Sequence, residues 1–586
     1  MTPTAFDESL QEDLLQGFDL PDPHLLGSTE AADAQVQLPV ARVYIDSHLP
    51  QVDRLFDYRV PAALDQQAQP GVRVRVKFNG QELSGWLKER CQSSDSPQRL
   101  LPLEEVLSEL TLLTPEIFAL AETLADRYAA LISDILRKAL PARVVGVEKP
   151  YLEAQQSATA DQFSPEELEE TEADLSAFNS YLQGPEFCED LLAGEPARAV
   201  LTLLPAPASH PWEEVVAQAL IATASRGRSA LALVPDYKKL DSLTSTLERL
   251  APGAYARLTG ADRASDRYRN FLDVRFGRKK ILIGTRSAAY APLENLGLLV
   301  CFDDGDSSYL EPSAPYCHAR DILLLRARDQ KAAALFLGYS VSSESARLVR
   351  TGWASLLRPE RQLLRASTPR VLTTGDDYQL AQDPLAAIAR IPHLAFQVAQ
   401  EALERGPVLI QVARAGYLPA LSCQRCYMPA RCQNCQGPIG FPAGSSAPQC
   451  SWCGKLAQPF RCQDCGYQAW RNGLPGALRT AEELGRAFPE RTVITSSGEN
   501  IKTTLGPEPA LVVATPGAEP AVEGGYSAAL LLDADRMLHF DSLRAPEAAL
   551  RRWLNAASLV RPYHQGGRVV TTASPSAPLE ALIRWD

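Results

Sequence analysis

Eight cysteines between residues 423 and 465 constrain this chain more than any other feature of its sequence. They form four Cys-x-x-Cys pairs: Cys423 and Cys426, Cys432 and Cys435, Cys450 and Cys453, and Cys462 and Cys465. Two such pairs complete a tetrahedral four-thiolate site, so the count predicts two Zn²⁺ ions per chain. Because thiolates fill every coordination position, the zinc is expected to be structural and not a hydrolytic centre.

Two points about this region stay open from the spacing alone. An iron–sulfur cluster also uses four thiolates, whereas reduced cysteines without a metal have no reason to recur at this spacing. The pairing can be sequential, with the first pair joined to the second, or nested, with the first pair joined to the fourth.

The acidic residues are concentrated in two segments. The net charge is −13, but residues 1–41 hold eight acidic and no basic residues, and residues 150–197 hold twelve acidic and no basic residues. The rest of the chain is mildly basic, which permits binding to nucleic acid. No apolar run approaches the ~18 residues of a membrane helix, and no signal peptide is recognisable. The expected location is cytoplasmic, without membrane contact.

Composition and hydrophobic periodicity divide the 586 residues into a multidomain α/β chain. Alternating residues at 40–46 and 71–78 predict strands, and short apolar runs from residue 199 onward predict parallel sheets with crossover helices. The predicted segments are 1–37, a disordered acidic tail; 38–105, a β-rich domain; 106–149, a winged-helix-like module; 150–197, an acidic linker; 198–370, a first α/β lobe; 371–420 and 468–586, a second α/β lobe; and 421–467, the cysteine-rich region.

From about residue 38 onward the chain resembles the bacterial replication restart helicases of the PriA (primosomal protein N′) family, in their degenerate actinobacterial form. The segments that carry the resemblance are PheAspTyr at 56–58, GlyValArgValArgVal at 71–76, GlyThrArgSerAla at 284–288, AspSerSerTyr at 306–309, TyrCysHisAlaArgAsp at 316–321, ArgAlaGlyTyr at 414–417, LeuAspAlaAsp at 532–535 and LeuArgAla at 543–545. The resemblance implies a 3′-end DNA-binding domain at 38–105 and two RecA-like lobes, with the zinc region inserted in the second. It also implies nested pairing: Cys423, Cys426, Cys462 and Cys465 on one ion, and Cys432, Cys435, Cys450 and Cys453 on the other.

The nucleotide-handling motifs of such helicases are altered here. A phosphate-binding loop needs free N–H groups and a lysine, but ProAlaProAlaSerHisProTrp at 205–212 has three prolines and no lysine. The family's AspGluGluHis corresponds to AspAspGlyAsp at 303–306, its GlySerAlaThrPro to GlyTyrSerValSer at 338–342, and its arginine motif to AlaSerLeuValArgPro at 557–562. We therefore expect a degenerate nucleotide site at Ser209, His210, Asp303 and Asp304 and no enzyme activity, while the sequence leaves open whether ATP is bound. The family's further C-terminal domain is expected to be missing after residue 586.

The resemblance places a DNA 3′-end pocket in the β-rich domain. Its residues are Phe56, Asp57, Tyr58 and Gly71, where an aromatic ring stacks on the terminal base and the carboxylate accepts a hydrogen bond from the 3′-hydroxyl. Arg73, Arg75 and Lys77 are candidate phosphate contacts, although the same alternation is typical of a solvated strand face. His318 is interpreted as a polar helix or loop residue, and Trp452 and Trp470 as packing on the zinc turns.

The leading hypothesis is a DNA-binding primosomal protein that recognises stalled forks and D-loops and starts replication restart without unwinding DNA itself. The implied partners are forked DNA, D-loops, single-stranded DNA, the machinery that loads the replicative helicase, and single-strand binding protein. A monomer associated with the nucleoid is expected. The alternatives are an active ATP-dependent 3′-to-5′ DNA helicase with a diverged nucleotide site and a zinc-ribbon RNA-binding or transcription factor.

Overall fold

A computed structural model gives the arrangement of most of the chain. It describes residues 36–585 except 97–98, 157–173, 206, 208–209, 375–390, 414–420, 426–427, 429, 442–446, 458, 472–476 and 539–541. The predicted acidic tail therefore lies outside the described residues except at positions 36 and 37, and so do the ArgAlaGlyTyr segment at 414–417, Cys426 and Ser209. Contacts divide the chain into an N-terminal unit and a larger second unit.

The N-terminal unit contains a five-stranded antiparallel sheet in the order β2-β1-β4-β3-β5. Its strands are β1 Val40–Ile45, β2 Leu55–Arg59, β3 Arg73–Phe78, β4 Gln81–Cys91 and β5 Leu103–Ser108. The valines of β3 are fully buried while Arg73 and Arg75 face outward, as the period-2 alternation predicts. Asn79 and Gly80 connect β3 to β4 with φ of 49° and 73°, the left-handed pair of a two-residue hairpin turn.

Three helices follow the sheet: α1 Pro115–Tyr128, α2 Ile132–Ala139 and α3 Val145–Gln156. Thr114 caps α1 by accepting a hydrogen bond from the Ile117 amide at 3.4 Å. Residues 106–149, which were predicted as a winged-helix-like module, are all described and contain no β-hairpin of their own. Strand β5 pairs with β3 of the preceding sheet, so this segment supplies helices without the expected wing.

The predicted acidic linker at 150–197 is corrected by the structure. Residues 150–156 belong to α3, residues 157–173 lie outside the described part, and residues 174–197 fold into the next lobe. There Phe178, Tyr181 and Phe187 are buried, because helix α4 (Gly184–Ala193) carries its apolar residues on one face and its carboxylates on the other.

Lobe 1 is an eight-stranded sheet in the order β6-β13-β7-β12-β11-β8-β10-β9, in which only the β6–β13 pair is antiparallel. Its strands are β6 Tyr181–Leu182, β7 Arg198–Thr202, β8 Ser229–Leu233, β9 Tyr255–Leu258, β10 Ile281–Gly284, β11 Leu296–Phe302, β12 Ala333–Gly338 and β13 Ser355–Pro359. The helices after α4 are α5 Trp212–Ser225, α6 Tyr237–Leu250, α7 Ala264–Arg275, α8 Ala319–Asp329, α9 Ser343–Arg350 and α10 Arg361–Ser367. Every residue of β8, β11 and β12 is buried, as expected for the centre of a parallel sheet.

Lobe 2 is a six-stranded parallel sheet in the order β14-β25-β24-β15-β22-β20. From residue 370 the strands are β14 Arg370–Thr373, β15 Val408–Gln411, β16 Ser422–Cys423, β17 Ile439–Gly440, β18 Gln449–Cys450, β19 Trp470–Arg471, β20 Thr492–Ser496, β21 Thr504–Leu505, β22 Ala510–Ala514, β23 Ala521–Val522, β24 Ala528–Leu531 and β25 Arg568–Thr571. The helices are α11 His393–Leu403, α12 Ala477–Ala487, α13 Ala534–Leu538, α14 Ala545–Ala557 and α15 Ala577–Arg584. The cysteine-rich region leaves this sheet after β15 and returns before β20.

The predicted fold class is confirmed: a β-rich N-terminal domain is followed by two α/β lobes with a cysteine-rich insertion in the second. Among the described residues, none of the helices combines the length and the apolarity needed to cross a lipid bilayer.

Candidate functional site

The first cysteine of each pair makes the same backbone hydrogen bond. The amide of the first cysteine donates to the carbonyl five residues later in each pair, from Cys423 to Met428, Cys432 to Gly437, Cys450 to Lys455 and Cys462 to Tyr467, at 2.8–2.9 Å. In three of them the residue after the second cysteine is left-handed, with φ of 60–70° at Gln436, Gly454 and Gly466. In these three pairs the two thiols lie on the same side of the turn.

The thiols meet in two clusters. The Sγ atoms of Cys432, Cys435, Cys450 and Cys453 all lie within 4.8 Å of one another, and so do those of Cys423, Cys462 and Cys465. The Sγ separations are 3.8 Å for Cys432 and Cys453, 3.4 Å for Cys435 and Cys450, and 3.5 Å for Cys423 and Cys465. Tetrahedral zinc with Zn–S bonds of about 2.3 Å places its sulfurs about 3.8 Å apart, so the donor set fits Zn²⁺.

The grouping is the nested one, with the second and third pairs inside the first and fourth. Cys426, the predicted fourth ligand of the outer cluster, lies outside the described residues. Trp470 packs edge-on against Phe460 with ring centroids 5.6 Å apart, whereas the Trp452 side chain is mostly exposed. The cysteine turns thus have one half-buried and one exposed tryptophan beside them.

Asp57 lies on β2, the edge strand of the N-terminal sheet. Its Oδ2 accepts a hydrogen bond from Ser94 Oγ at 2.5 Å, and its Oδ1 lies 3.6 Å from Nε of Arg42 on the neighbouring strand. The Asp57 side chain is 17% exposed. The carboxylate is therefore oriented by two neighbours and still has acceptor capacity on Oδ1.

Phe56 and Tyr58 occupy the opposite face of β2 from Asp57. Tyr58 is buried and donates from its hydroxyl to the Lys77 carbonyl at 3.1 Å, and burial raises its pKa to about 12. Phe56 packs edge-on against Phe78 at 4.9 Å, and the Arg54 guanidinium lies 4.8 Å from the Phe56 ring centroid. The predicted pocket residues are thus divided between the two faces of one edge strand.

The structure gives Gly71 a backbone role. Its φ is +95°, and a Cβ there would lie 2.2 Å from the Leu113 carbonyl oxygen. The amides of Leu112 and Leu113 both donate to the Gly71 carbonyl, at 3.1 and 3.2 Å. Glycine at this position joins the sheet to the segment that leads into α1.

The three candidate phosphate contacts on β3 each lie beside a carboxylate. Arg73 contacts Asp46 at 3.3 Å, Arg75 contacts Glu105 at 2.9 Å, and Lys77 lies 3.8 Å from Glu104. A phosphate would have to compete with these partners for the cations.

We use the name interlobe cleft for the region where residues that follow β11 and β12 in lobe 1 contact helix α14 of lobe 2. On its lobe 1 side the loop after β7 leads into α5, whose first residue Trp212 stacks on Phe302 with ring centroids 4.0 Å apart. His210 contacts Glu214 at 3.0 Å, while Ser209 lies outside the described residues. Pro211 occupies the N-cap of α5 without any side-chain cap.

Asp303 and Asp306 both contact an arginine of lobe 2. Arg551 Nη1 lies 2.5 Å from Asp303 Oδ2 and 2.9 Å from Asp306 Oδ2, and Asn555 Nδ2 donates to Asp303 Oδ2 at 3.0 Å. Burial alone would raise the pKa of Asp306, but the Arg551 charge and the hydrogen bonds from Ser308 and Arg551 together lower that pKa. Burial likewise opposes the charge of Arg551, yet the two carboxylates raise its pKa overall.

Asp304 points into lobe 1 instead. Its Oδ2 accepts from Ser342 Oγ at 2.6 Å, Ser345 Oγ at 2.9 Å and Arg320 Nη1 at 3.1 Å. Burial raises the pKa of Asp304 despite these donors. In the segment 338–342, which was predicted as an altered nucleotide-handling motif, Ser342 thus caps α9 and binds Asp304.

The arginine that reaches the cleft is one that the sequence analysis missed. Arg561, in the predicted arginine motif, donates to the carbonyls of Gly524 and Arg405 at 3.0 and 3.1 Å within lobe 2. Arg551 and Asn555 sit one and two helical turns after Glu547 on α14. The four-residue spacing of Glu547, Arg551 and Asn555 was the available signal, since it places polar residues on one face of a helix otherwise rich in alanine.

His318 is the N-cap of α8. Its Nδ1 accepts from the Arg320 amide at 3.2 Å, and burial, with a smaller contribution from the Arg320 charge, lowers its pKa to about 4. The ring therefore stays neutral in the folded protein at pH 7.

Comparisons with known proteins give a consistent result. The family described as a 3′ DNA-binding domain (3′BD) matches residues 42–141. The chain is 44% identical over 543 residues to the probable replication restart protein PriA of Mycobacterium tuberculosis, a match that covers 92% of this chain and 81% of that protein. It is 26% identical over 528 residues to the replication restart protein PriA of Haemophilus influenzae, covering 78% and 70% of the two chains.

Solved structures with some similarity include RecG bound to a three-way DNA junction, with a TM-score of 0.37, 12% identity and coverage of 80% of this chain and 50% of that one. The helicase MrfA bound to DNA has a TM-score of 0.39 and 10% identity, covering 72% and 50%. The prediction that this chain is not an enzyme is contradicted, because the PriA family to which its relatives belong is a DNA helicase family. The altered motifs are differences within such a family and do not place the chain outside it.

Proposed function

Because this chain belongs to the replication restart protein PriA family, we propose that it binds the 3′ end of a DNA strand at stalled replication forks and D-loops and starts primosome assembly there. The observation that carries the proposal is the 3′ DNA-binding domain at residues 42–141, with an oriented carboxylate, Asp57, on the edge strand of its sheet. The comparisons favour this function over a zinc-ribbon RNA-binding or transcription factor.

Asp57 has the chemistry to distinguish a free 3′-hydroxyl from an internal phosphodiester. Ser94 donates to Oδ2 and Arg42 lies beside Oδ1, so the carboxylate is held in one orientation by protein donors. A 3′-hydroxyl can donate a further hydrogen bond to it, whereas a 3′-phosphate has no such proton and brings negative charge next to a carboxylate.

The aromatic part of the pocket lies on the other side of the same edge strand. The Phe56 ring, with Arg54 over its face and Phe78 at its edge, forms a small stacking surface of the kind that nucleic-acid bases use. Because β2 is an edge strand, a strand end that approaches from the edge reaches both faces. The β3 cations contribute phosphate contacts only where DNA displaces their carboxylate partners.

We assign the remaining parts by the same reasoning. The two zinc ions hold the cysteine-rich region in shape, and forked DNA, single-stranded DNA, the helicase-loading machinery and single-strand binding protein are the partners. A protein with this task works in the cytoplasm at the nucleoid. A monomer is sufficient, since one 3′ domain meets one strand end.

The test measures binding of forked DNA by fluorescence anisotropy at one fixed salt concentration. Forks with a leading-strand 3′-hydroxyl are compared with forks that carry a 3′-phosphate, for the wild type, Asp57→Asn and Glu89→Gln. A hydrogen bond to a charged group is worth about 1.5–3 kcal/mol, so we expect the wild type to prefer the hydroxyl by roughly 10- to 100-fold. Asp57→Asn should lose most of this preference, because the amide keeps the shape and removes the charge.

Glu89→Gln is the matched control, since Glu89 also contacts Arg42, at 3.0 Å, but is not the proposed acceptor. It should keep the preference for the hydroxyl. Equal affinity of the wild type for both ends would contradict the proposal, and so would an undiminished preference in Asp57→Asn.

A further inference from the structure

One face of helix α14 makes the polar contacts of lobe 2 with the strand ends of lobe 1. Glu547, Arg551 and Asn555 recur every four residues and therefore lie in one row along the helix. Arg551 and Asn555 both contact Asp303 at the end of β11. The Arg551 side chain is 9% exposed and that of Asp303 is 6% exposed, so water screens this ion pair poorly.

The same row also holds the first turn of α9. Glu547 Oε1 accepts from the Ser343 amide at 3.1 Å and Oε2 accepts from the Ser343 hydroxyl at 2.7 Å. One residue before α14, Arg544 donates to Glu344 at 3.1 Å, and this contact lowers the pKa of Glu344 to about 2. Carboxylates of both lobes are thus bound by groups of the opposite lobe.

Buried apolar side chains continue from one lobe to the other around these ion pairs. A single cluster includes Phe302 and Leu337 of lobe 1, Leu409 and Leu531 of lobe 2, and Trp553 of α14. Separating the lobes would expose this apolar surface as well as the buried charges, and both changes cost free energy.

Gly305 makes the close approach possible. A Cβ at this position would lie 3.3 Å from Arg551 Cδ and 3.5 Å from Ser342 Cβ. The distance to Arg551 Cδ is shorter than most contacts that real Cβ atoms make. The small residue in the AspAspGlyAsp segment therefore leaves room for the arginine of the opposite lobe.

We propose that Glu547, Arg551 and Asn555 form an ionic latch that holds the two lobes as one rigid unit when no ligand occupies the interlobe cleft. In nucleotide-binding proteins with this type of lobe, the aspartate that follows the equivalent strand binds the magnesium ion of the nucleotide. Here the Asp303 carboxylate is bound by Arg551. Any cation or nucleotide that uses Asp303 must first displace that guanidinium, so the latch is an autoinhibitory contact built into the fold.

Hydrogen exchange with mass spectrometry on the full-length chain tests the latch. Arg551→Gln leaves two buried carboxylates without their cation, so we expect peptides within 303–309, 339–347 and 545–557 to exchange faster by tenfold or more. The matched control is Arg584→Gln, because Arg584 pairs with Glu580 on its own helix at 3.3 Å and is exposed. It should leave exchange in these peptides unchanged.

A double variant separates the latch from general damage to lobe 2. Asp303→Asn combined with Arg551→Gln removes both charges, so its cleft peptides should exchange more slowly than those of Arg551→Gln alone. Unchanged cleft exchange in Arg551→Gln would overturn the proposal. Strictly additive effects of the two substitutions would overturn it too, because they would show that the two side chains are not coupled.

Discussion

The stability of lobe 1 should depend on pH through His318, and a single substitution should remove this dependence. Its Nδ1 caps α8 by accepting from the Arg320 amide, which requires the unprotonated ring, and its pKa is about 4 against an ordinary value of 6.5. The neutral His318 ring therefore stabilises the folded lobe fully above pH 6.5, and this stabilisation is lost as the pH falls from 6.5 towards 4. Replacing His318 by asparagine, a good N-cap that does not titrate, keeps the hydrogen bond and removes this dependence.

The two pKa values set the size of the effect. At pH 5 an unfolded histidine is mostly protonated and the folded one mostly neutral, which costs the wild type about 2 kcal/mol relative to pH 8. For a lobe of this size that corresponds to roughly 4–8 °C in melting temperature. The charged neighbours Arg320, Asp321, Glu344 and Arg544 are common to both proteins, so their own titration cancels in the comparison.

The assay measures the thermal unfolding of the wild type and of His318→Asn at pH 8 and pH 5 by differential scanning calorimetry. We expect the wild type to lose several degrees more than the variant on acidification. An equal loss in both proteins would refute the argument, because it would mean that His318 titrates in the folded chain as it does in the unfolded one.

Two further substitutions test other parts of the structure. Cys435→Ser should lower the zinc content, measured by elemental mass spectrometry, from two ions per chain to one. The control Cys91→Ser lies outside both thiol clusters and should leave the content at two. An unchanged zinc content in Cys435→Ser would contradict the assignment. Gly71→Ala should destabilise the N-terminal unit by roughly 2–4 kcal/mol in urea unfolding, since a Cβ at this positive φ meets the Leu113 carbonyl. Gly146→Ala, where a Cβ meets nothing within 4 Å, is its control, and equal stability of the two variants would refute the steric argument.

Local patterns predicted the fold class and the thiol clusters well, because both depend on short-range spacing. A Cys-x-x-Cys turn needs only a few residues, and the buried runs of β8, β11 and β12 identify a parallel sheet without reference to distant contacts. Which cysteine pairs share an ion depends on the path of the chain between them. Spacing left the nested and the sequential arrangement open for that reason.

Composition is a poor guide to folding where one helix carries both charged and buried residues. The acidic segment at 150–197 was predicted as a linker, yet Phe187, Cys188 and Leu191 are buried while Glu189 and Asp190 remain exposed. The spacing of those three buried residues is that of an amphipathic helix and could have identified α4. The DNA 3′-end pocket at 56–58 stays a prediction. Successive strand residues face opposite sides, so Asp57 lies on one face of β2 and Phe56 and Tyr58 lie on the other.

The altered residues in the interlobe cleft are better explained together than one by one. Asp303 directly follows β11, Gly305 leaves room for the approach of lobe 2, and Arg551 supplies the positive charge. Each change alone would leave a buried carboxylate unpaired, a cavity, or a clash. The segment at 303–306 and the polar row on α14 are therefore linked through one ion pair, between Asp303 and Arg551. Arg551→Gln breaks this pair and so tests the two features together.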